Sequence, residues 1–185
     1  MFIVIEGCDG SGKSTQAKLL GKFLKEHGKK VLLTAEPTDG KIGRFIREIL
    51  SGKRSVDPKT LALLFTADRY EHLKSEIEPA LKQGIVVISE RYYHSTITYQ
   101  TAQGVDGQWL SDLNRFARKP DLTIFLDIKP WVAVKRTKTR EIFENREFLE
   151  RVYNNYLSLR DLVRIDASGS VEETFGLVKK AVTKR

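Results

Sequence analysis

Residues 7–15 read Gly-Cys-Asp-Gly-Ser-Gly-Lys-Ser-Thr. Glycines in such a run let successive backbone N–H groups converge on one anion, and a helix opening at its end adds the positive pole of its dipole. The spacing is G-x-x-x-x-G-K-[ST]. It makes Gly7, Cys8, Asp9, Gly10, Ser11 and Gly12 a phosphate cradle, with Lys13 the cation for β- and γ-phosphates. The Ser14 hydroxyl is a candidate Mg²⁺ ligand, and Thr15 completes the motif. The chemistry is nucleoside triphosphate binding; the motif does not say where the γ-phosphoryl goes.

A loop of this kind works between a strand and a helix, and the flanks supply both. Phe2–Ile5 is apolar and largely β-branched, while the stretch from Lys13 to Glu26 carries Ala17, Leu20 and Leu24 on a helical stripe that Gly28 can close. Val31–Leu33, Ile85–Ile88, Leu122–Leu126 and Leu162–Ile165 are further short apolar runs, whose character predicts strands buried on both faces. Asp57–Pro58 predicts the cap and first turn of a helix through Leu61, Leu64 and Phe65. Pro79 predicts a kink or division of that helix, and Ser170 with Glu173 predicts a capping box on the last one. Strands alternating with helices predict a three-layer α/β fold. It has a five-stranded parallel sheet with helices on both faces, in one domain over 1–185. Ligands of such sheets bind beyond the carboxyl ends of the strands, so the residues after each strand are the next candidates.

Composition narrows the classes. The chain has 185 residues, 41% hydrophobic and 30% charged, enough for one core. Cys8 is the single cysteine, which excludes an intrachain disulfide. No apolar run approaches membrane-spanning length, and Met1 leads straight into the first strand with no targeting pattern. The expectation is a cytoplasmic protein without a membrane partner. The net charge of +8 suits nucleotides and nucleic acid alike.

Three kinds of phosphate-loop protein compete: a small-molecule kinase, a GTPase switch and a nucleic-acid-stimulated ATPase. The guanine-reading string N-K-x-D does not occur, and Asp166-Ala167-Ser168-Gly169 places D-x-x-G at the fifth strand, in the wrong order for a switch. No basic stripe interleaved with aromatics supports the ATPase, yet both Ile85–Glu90 and Leu122–Asp127 could supply its acidic strand.

The other strand ends carry more. Glu36-Pro37 follows the second strand, and Glu90-Arg91-Tyr92 follows the third, with Ser95, Tyr99 and Gln100 after it. The helix between them carries Phe65-Thr66-Ala67-Asp68-Arg69-Tyr70, in which Phe65 and Arg69 stand four apart on one face. Together with Glu6-Gly-x-Asp-Gly-x-Gly-Lys-Ser-Thr15 and Leu113-Asn114-Arg115-Phe116-Ala117 to Thr123, this order of motifs resembles the thymidylate kinase family from Phe2 to about Arg140.

The resemblance implies ATP and dTMP as substrates, Mg²⁺ as cofactor, dTDP as product for dTTP biosynthesis, no nucleic-acid partner and a homodimer. A broader nucleoside monophosphate kinase is the alternative. It implies that Phe65 stacks on the base and Arg69 reads its carbonyl edge. Arg91 binds the acceptor phosphate, and Asp9 accepts from the acceptor's 3′-hydroxyl. Glu36, Tyr99 and Gln100 line the acceptor pocket, and Glu90 stands near Mg²⁺. The family usually has aspartate where Glu90 stands and arginine where Ala35 stands, for which Arg44 or Arg47 are candidate substitutes. It also implies a cationic clamp on the transferring phosphoryl, from the phosphate loop or from a lid. Here the loop has Gly10 and Ser11, so the expectation falls on a short lid at about 134–147. Four of the six residues 135–140 are basic, with Arg136 and Arg140 as the clamp beside Lys13 and Arg91.

Overall fold

The computed structural model describes residues 1–136 and 146–184, and residues 134–136 by backbone alone. Five parallel strands, β1 (Phe2–Glu6), β2 (Val31–Ala35), β3 (Val86–Glu90), β4 (Leu122–Asp127) and β5 (Val163–Asp166), form one sheet in the order β2-β3-β1-β4-β5. Ile3 stands opposite Ile88 on one side and Leu122 on the other. Helix α1 (Lys13–Glu26) carries the chain from β1 to β2, while α5 (Tyr93–Ala102) and α6 (Gly107–Leu113) carry it from β3 across to β4. The connections therefore part around β1, and the crevice at its carboxyl end is where a ligand fits.

Side-chain alternation along the strands feeds two layers. Ile3, Ile5, Ile88, Ile124 and Leu126 pack with Ala17, Leu20 and Leu24 of α1 and with Val178 and Val182 of the last helix, α9 (Val171–Thr183). Phe2, Val4 and Val87 point the other way, onto Leu73, Ile77 and Tyr92. Phe125 faces the same side, under α2 (Lys41–Leu50), α3 (Pro58–His72), α5 and α8 (Arg146–Ser158). The three central strands are buried almost throughout, as expected. The outer strands β2 and β5 are only partly covered, so burial on both faces does not hold for them: each lacks a neighbour on one side.

The predicted helix ends are observed. Asp57 accepts from the N–H groups of Lys59 and Thr60 with Pro58 in the first turn of α3. Ser170 and Glu173 form the capping box of α9, and Gly28 closes α1 with φ +75°. At Pro79 the helix divides in a particular way. A π-helical turn over Leu73–Ile77 separates α3 from the short α4 (Glu78–Lys82). Proline lacks an N–H and crowds the carbonyl four residues back, and a widened turn relieves both. A short helix, α7 (Pro130–Arg136), follows β4.

Candidate active site

The loop from β1 to α1 closes under α7. Gly10 has φ +78°, and a Cβ there would meet the Ala133 carbonyl oxygen at 2.1 Å, so only glycine fits. Gly12, at φ +94°, turns the chain into α1. Lys13 is buried and its Nζ donates to the carbonyls of Gly7 and Cys8, at 3.1 and 2.9 Å. Burial pushes the Cys8 thiol up to about 11, which keeps it protonated and excludes it as a nucleophile. Ser14 and Thr15 are exposed in a cleft walled by Asp9 through Gln16, Glu90, and Ala167, Gly169 and Ser170 of the β5–α9 turn. The Ser14 hydroxyl donates to Glu90 Oε1 at 2.9 Å. The longer arm of glutamate thus reaches the motif serine.

A second cavity opens on the other side of Asp9. Its walls include Asp9, Glu36, Phe65, Arg69, Arg91, Tyr99 and Gln100, together with Tyr92, Ser95 and Thr96. The structure therefore brings every proposed acceptor-site residue to one place, and Asp9 lines both clefts. The Arg91 guanidinium donates to Asp9 Oδ1, to the Gly7 carbonyl at 3.2 Å and to Ser95 Oγ at 2.9 Å, and lies over the Tyr99 ring. The Tyr99 hydroxyl donates to Asp9 Oδ2 at 3.3 Å. Burial works to raise the Asp9 pKa, but the charges of Arg91 and Lys13 overcome it and hold the carboxyl at about 2.

At the far end Arg69, 1% exposed, is set by partners from three other elements. Nη1 donates to Asn114 Oδ1 at 2.7 Å and Nη2 to Thr96 Oγ1 at 2.9 Å, while Nη2 lies 2.8 Å from Glu36 Oε2. His72 Nδ1 pairs with the other Glu36 oxygen at 3.2 Å, and its Nε2 with Glu76 at 3.0 Å. Phe65 sits one turn before Arg69 on α3, half-buried on the cavity wall. Gln100 is fully buried, with its Oε1 unpartnered among the described residues.

Asn114, Thr96 and His72 are positions that the motif reading left without a role. Asn114 stands inside a string that resembled the family, which was the one available signal; Thr96 and His72 gave none. Arg47 does not line the acceptor cavity. Its guanidinium donates to the carbonyls of Pro37 and Thr38 and pairs with Asp39 at 3.2 Å, bracing the loop after β2 that carries Glu36. Arg44 is exposed on α2. Of the lid at 134–147, Arg140 lies outside the described residues, and Arg136 is described only as the backbone end of α7.

A family model described as thymidylate kinase matches residues 5–177. Among curated proteins, the probable thymidylate kinase of Thermococcus gammatolerans is 45% identical, the alignment covering 98% of this chain and 97% of the relative. That of Methanocaldococcus jannaschii is 47% identical over 94% of this chain and 90% of the relative. Among solved structures, a thymidylate kinase from Candida albicans superimposes with a TM-score of 0.85 at 28% identity, covering 99% of this chain and 91% of that one.

Proposed function

The chain belongs to the thymidylate kinase family, whose reaction is the ATP-dependent phosphorylation of dTMP, and we propose that it makes the transfer directly between two clefts that meet at Asp9. The observation that carries this reading is the shared wall: Asp9 lines both the phosphate-loop cleft and the cavity of Phe65, Arg69 and Arg91. In this reading the γ-phosphoryl and the acceptor phosphate meet beside that shared wall, the approach that in-line displacement requires.

In this reading the backbone of Gly7–Thr15 and Lys13 hold the triphosphate of ATP, with the β5–α9 turn beside the adenine end. Phe65 stacks on thymine, and Arg69 offers it the N–H groups that its protein partners leave free. Tyr99 and Gln100 bound the sugar side, and Asp9 accepts from the 3′-hydroxyl. Arg91 holds the acceptor phosphate, where a planar fork of donors matches its oxygens. An oxygen of that phosphate bonds to the γ-phosphorus as the bond from the γ-phosphorus to the bridging oxygen breaks, giving ADP and dTDP. The acceptor is already ionised at neutral pH, so no general base is required; positioning and cationic side chains carry the catalysis. A hydroxyl and one carboxylate, Ser14 and Glu90 at 2.9 Å, form an oxygen donor set that fits a Mg²⁺ retaining most of its waters. When bound, that ion neutralises charge on the β- and γ-phosphate oxygens.

ADP release from ATP and Mg²⁺ with dTMP, dUMP, dCMP, dGMP, AMP, thymidine or single-stranded DNA tests the reading. Preference for dTMP is expected. Comparable rates with several monophosphates would widen the acceptor class, and hydrolysis stimulated by DNA alone would overturn it. The reading also includes a cytoplasmic homodimer, the usual state in this family. Sedimentation velocity checks the oligomer, and a monomer mass at assay concentration would remove it.

A further inference from the structure

We propose that Glu6 is a positioning residue for the acceptor-phosphate arginine: from the end of β1 it caps helix α5 and fixes Arg91 through Ser95. Glu6 is completely buried. Its Oε1 accepts from the N–H of Tyr92 at 2.8 Å and of Ser95 at 3.3 Å. Its Oε2 accepts from Ser95 Oγ at 2.6 Å and from the Tyr156 hydroxyl at 2.9 Å. Among the described residues the nearest cationic candidate, His94 Nδ1, is 4.0 Å from Oε1. The carboxylate is therefore satisfied by four hydrogen bonds rather than by a direct ion pair.

Two facts turn this from ordinary burial into a device. Helix α5 has no side-chain cap of its own at Tyr92. The N–H groups of Tyr92 and Ser95 are the cap and third helical positions, where a negative charge is favoured by the helix dipole. Glu6 takes the Tyr92 N–H from another element and shares the Ser95 N–H with the Tyr92 carbonyl, which lies 3.1 Å from that nitrogen. Arg91, immediately before that cap, has φ +67° and is the one non-glycine residue with positive φ among the described residues. Such a conformation persists where the surroundings over-determine it. Here the Arg91 N–H donates to the Ile5 carbonyl at 3.0 Å, and its carbonyl accepts from Ser89 Oγ at 2.9 Å. The next N–H is the one held by Glu6.

The side chain is tied to the same carboxylate. Arg91 Nη1 donates to Ser95 Oγ, whose proton goes to Glu6 Oε2. Backbone and guanidinium of Arg91 are thus both referred to one buried anion next to the phosphate loop.

The proposal rests on the role given to Arg91, so Arg91→Lys is measured first. If KM for dTMP is unchanged in that variant, the reading of Arg91 fails on its own. With that role intact, Glu6→Gln keeps volume and removes charge. It is expected to lower kcat/KM for dTMP by about tenfold or more while KM for ATP moves by less than about twofold. In the Arg91→Lys background the same change should cost several-fold less, because the residue it acts through is already altered. A wild-type kcat/KM in Glu6→Gln, or an undiminished effect in the Arg91→Lys background, overturns the proposal. If Glu6→Gln does not fold, Ser95→Ala carries the test. It leaves Glu6 and both backbone N–H bonds in place and removes the hydroxyl that joins the carboxylate to the guanidinium, together with its contact to the Tyr156 hydroxyl. Weaker dTMP use with unchanged KM for ATP supports the proposal; unchanged dTMP parameters overturn it.

Discussion

Arg69 carries five N–H groups and donates two to its own protein, to Asn114 and Thr96, while its Nη2 also forms an ion pair with Glu36. Its Nε is buried and without a partner among the described residues. A guanidinium held this way has few positions open to it, which is what a base-reading group needs. Truncation to alanine would leave the buried Glu36 paired with His72 alone among the described residues, and would confuse folding with binding. Arg69→Lys keeps the charge and loses the fork. We expect kcat/KM for dTMP to fall about tenfold or more, with KM for ATP unchanged; steady-state kinetics check this, and equal loss for both substrates would contradict it. Behind Arg69, His72 has a carboxylate on each ring nitrogen and shares its Nε2 with Thr34 Oγ1 at 2.8 Å. A neutral ring cannot donate to both carboxylates. Burial works to lower its pKa, but the hydrogen bond and charge of Glu36, then of Glu76, outweigh it and the pKa is raised. Because the folded value lies above the unfolded one, the resulting stabilisation is complete below the unfolded pKa, about 6.5, and is lost as pH rises through the folded one. The stability difference between wild type and His72→Gln in urea should therefore shrink as pH rises above about 6.5; a pH-independent difference would show that the ring is not charged.

At the scale of elements, the loop after β2 is clamped between two helices. Asp68 of α3 takes the Thr38 N–H and hydroxyl, at 2.8 and 2.6 Å. On the opposite side a Cβ at Gly43 of α2 would stand 2.0 Å from the Thr38 carbonyl oxygen and 2.6 Å from its nitrogen. Gly43→Ala must push backbone against backbone, and Asp68 and Arg47 keep the loop from yielding. A loss of about 1–3 kcal/mol is expected, with a raised KM for dTMP because Glu36 belongs to the same loop. Urea midpoints and dTMP titrations check it, and an unchanged pair of values would mean that the loop moves freely. This clamp was not legible in the sequence, and the reason is general. The phosphate loop could be read because its chemistry is contiguous: one strand, nine residues and one helix turn contain all of it. The strands and caps could be read because they depend on near neighbours. Asn114, Thr96, Glu36 and Arg69 meet from four separate elements, and no spacing encodes that. β2 carries the same residue types as the centre, and only the strand order makes it an edge, whereas β5 holds the exposed Arg164 within the strand.

At the scale of the whole molecule, a net charge of +8 favours capture of anionic substrates, but transfer needs a cation placed on the γ-phosphoryl itself. The phosphate loop cannot supply one beyond Lys13. Gly10 has φ +78° and faces the Ala133 carbonyl, so any longer side chain there must displace α7. Ser11 is 3% exposed, and its Oγ would stand 2.5 Å from a Cβ on Gly7. Arg91 is engaged with Asp9, Gly7 and Ser95 on the acceptor side. We propose that the basic run beginning at the end of α7, with Arg136 and Arg140 four apart in the sequence, supplies that cation. Removing both arginines should therefore act on the transition state and leave ground-state binding nearly intact. For Arg136→Ala with Arg140→Ala we expect kcat to fall about a hundredfold or more, while KM for ATP and dTMP changes by less than about threefold and the melting temperature holds. Steady-state kinetics with calorimetric melting separate these effects. A wild-type kcat would move the clamp to another cation, and a rise in KM with kcat unchanged would make these residues uniform binders rather than stabilisers of the transferring phosphoryl.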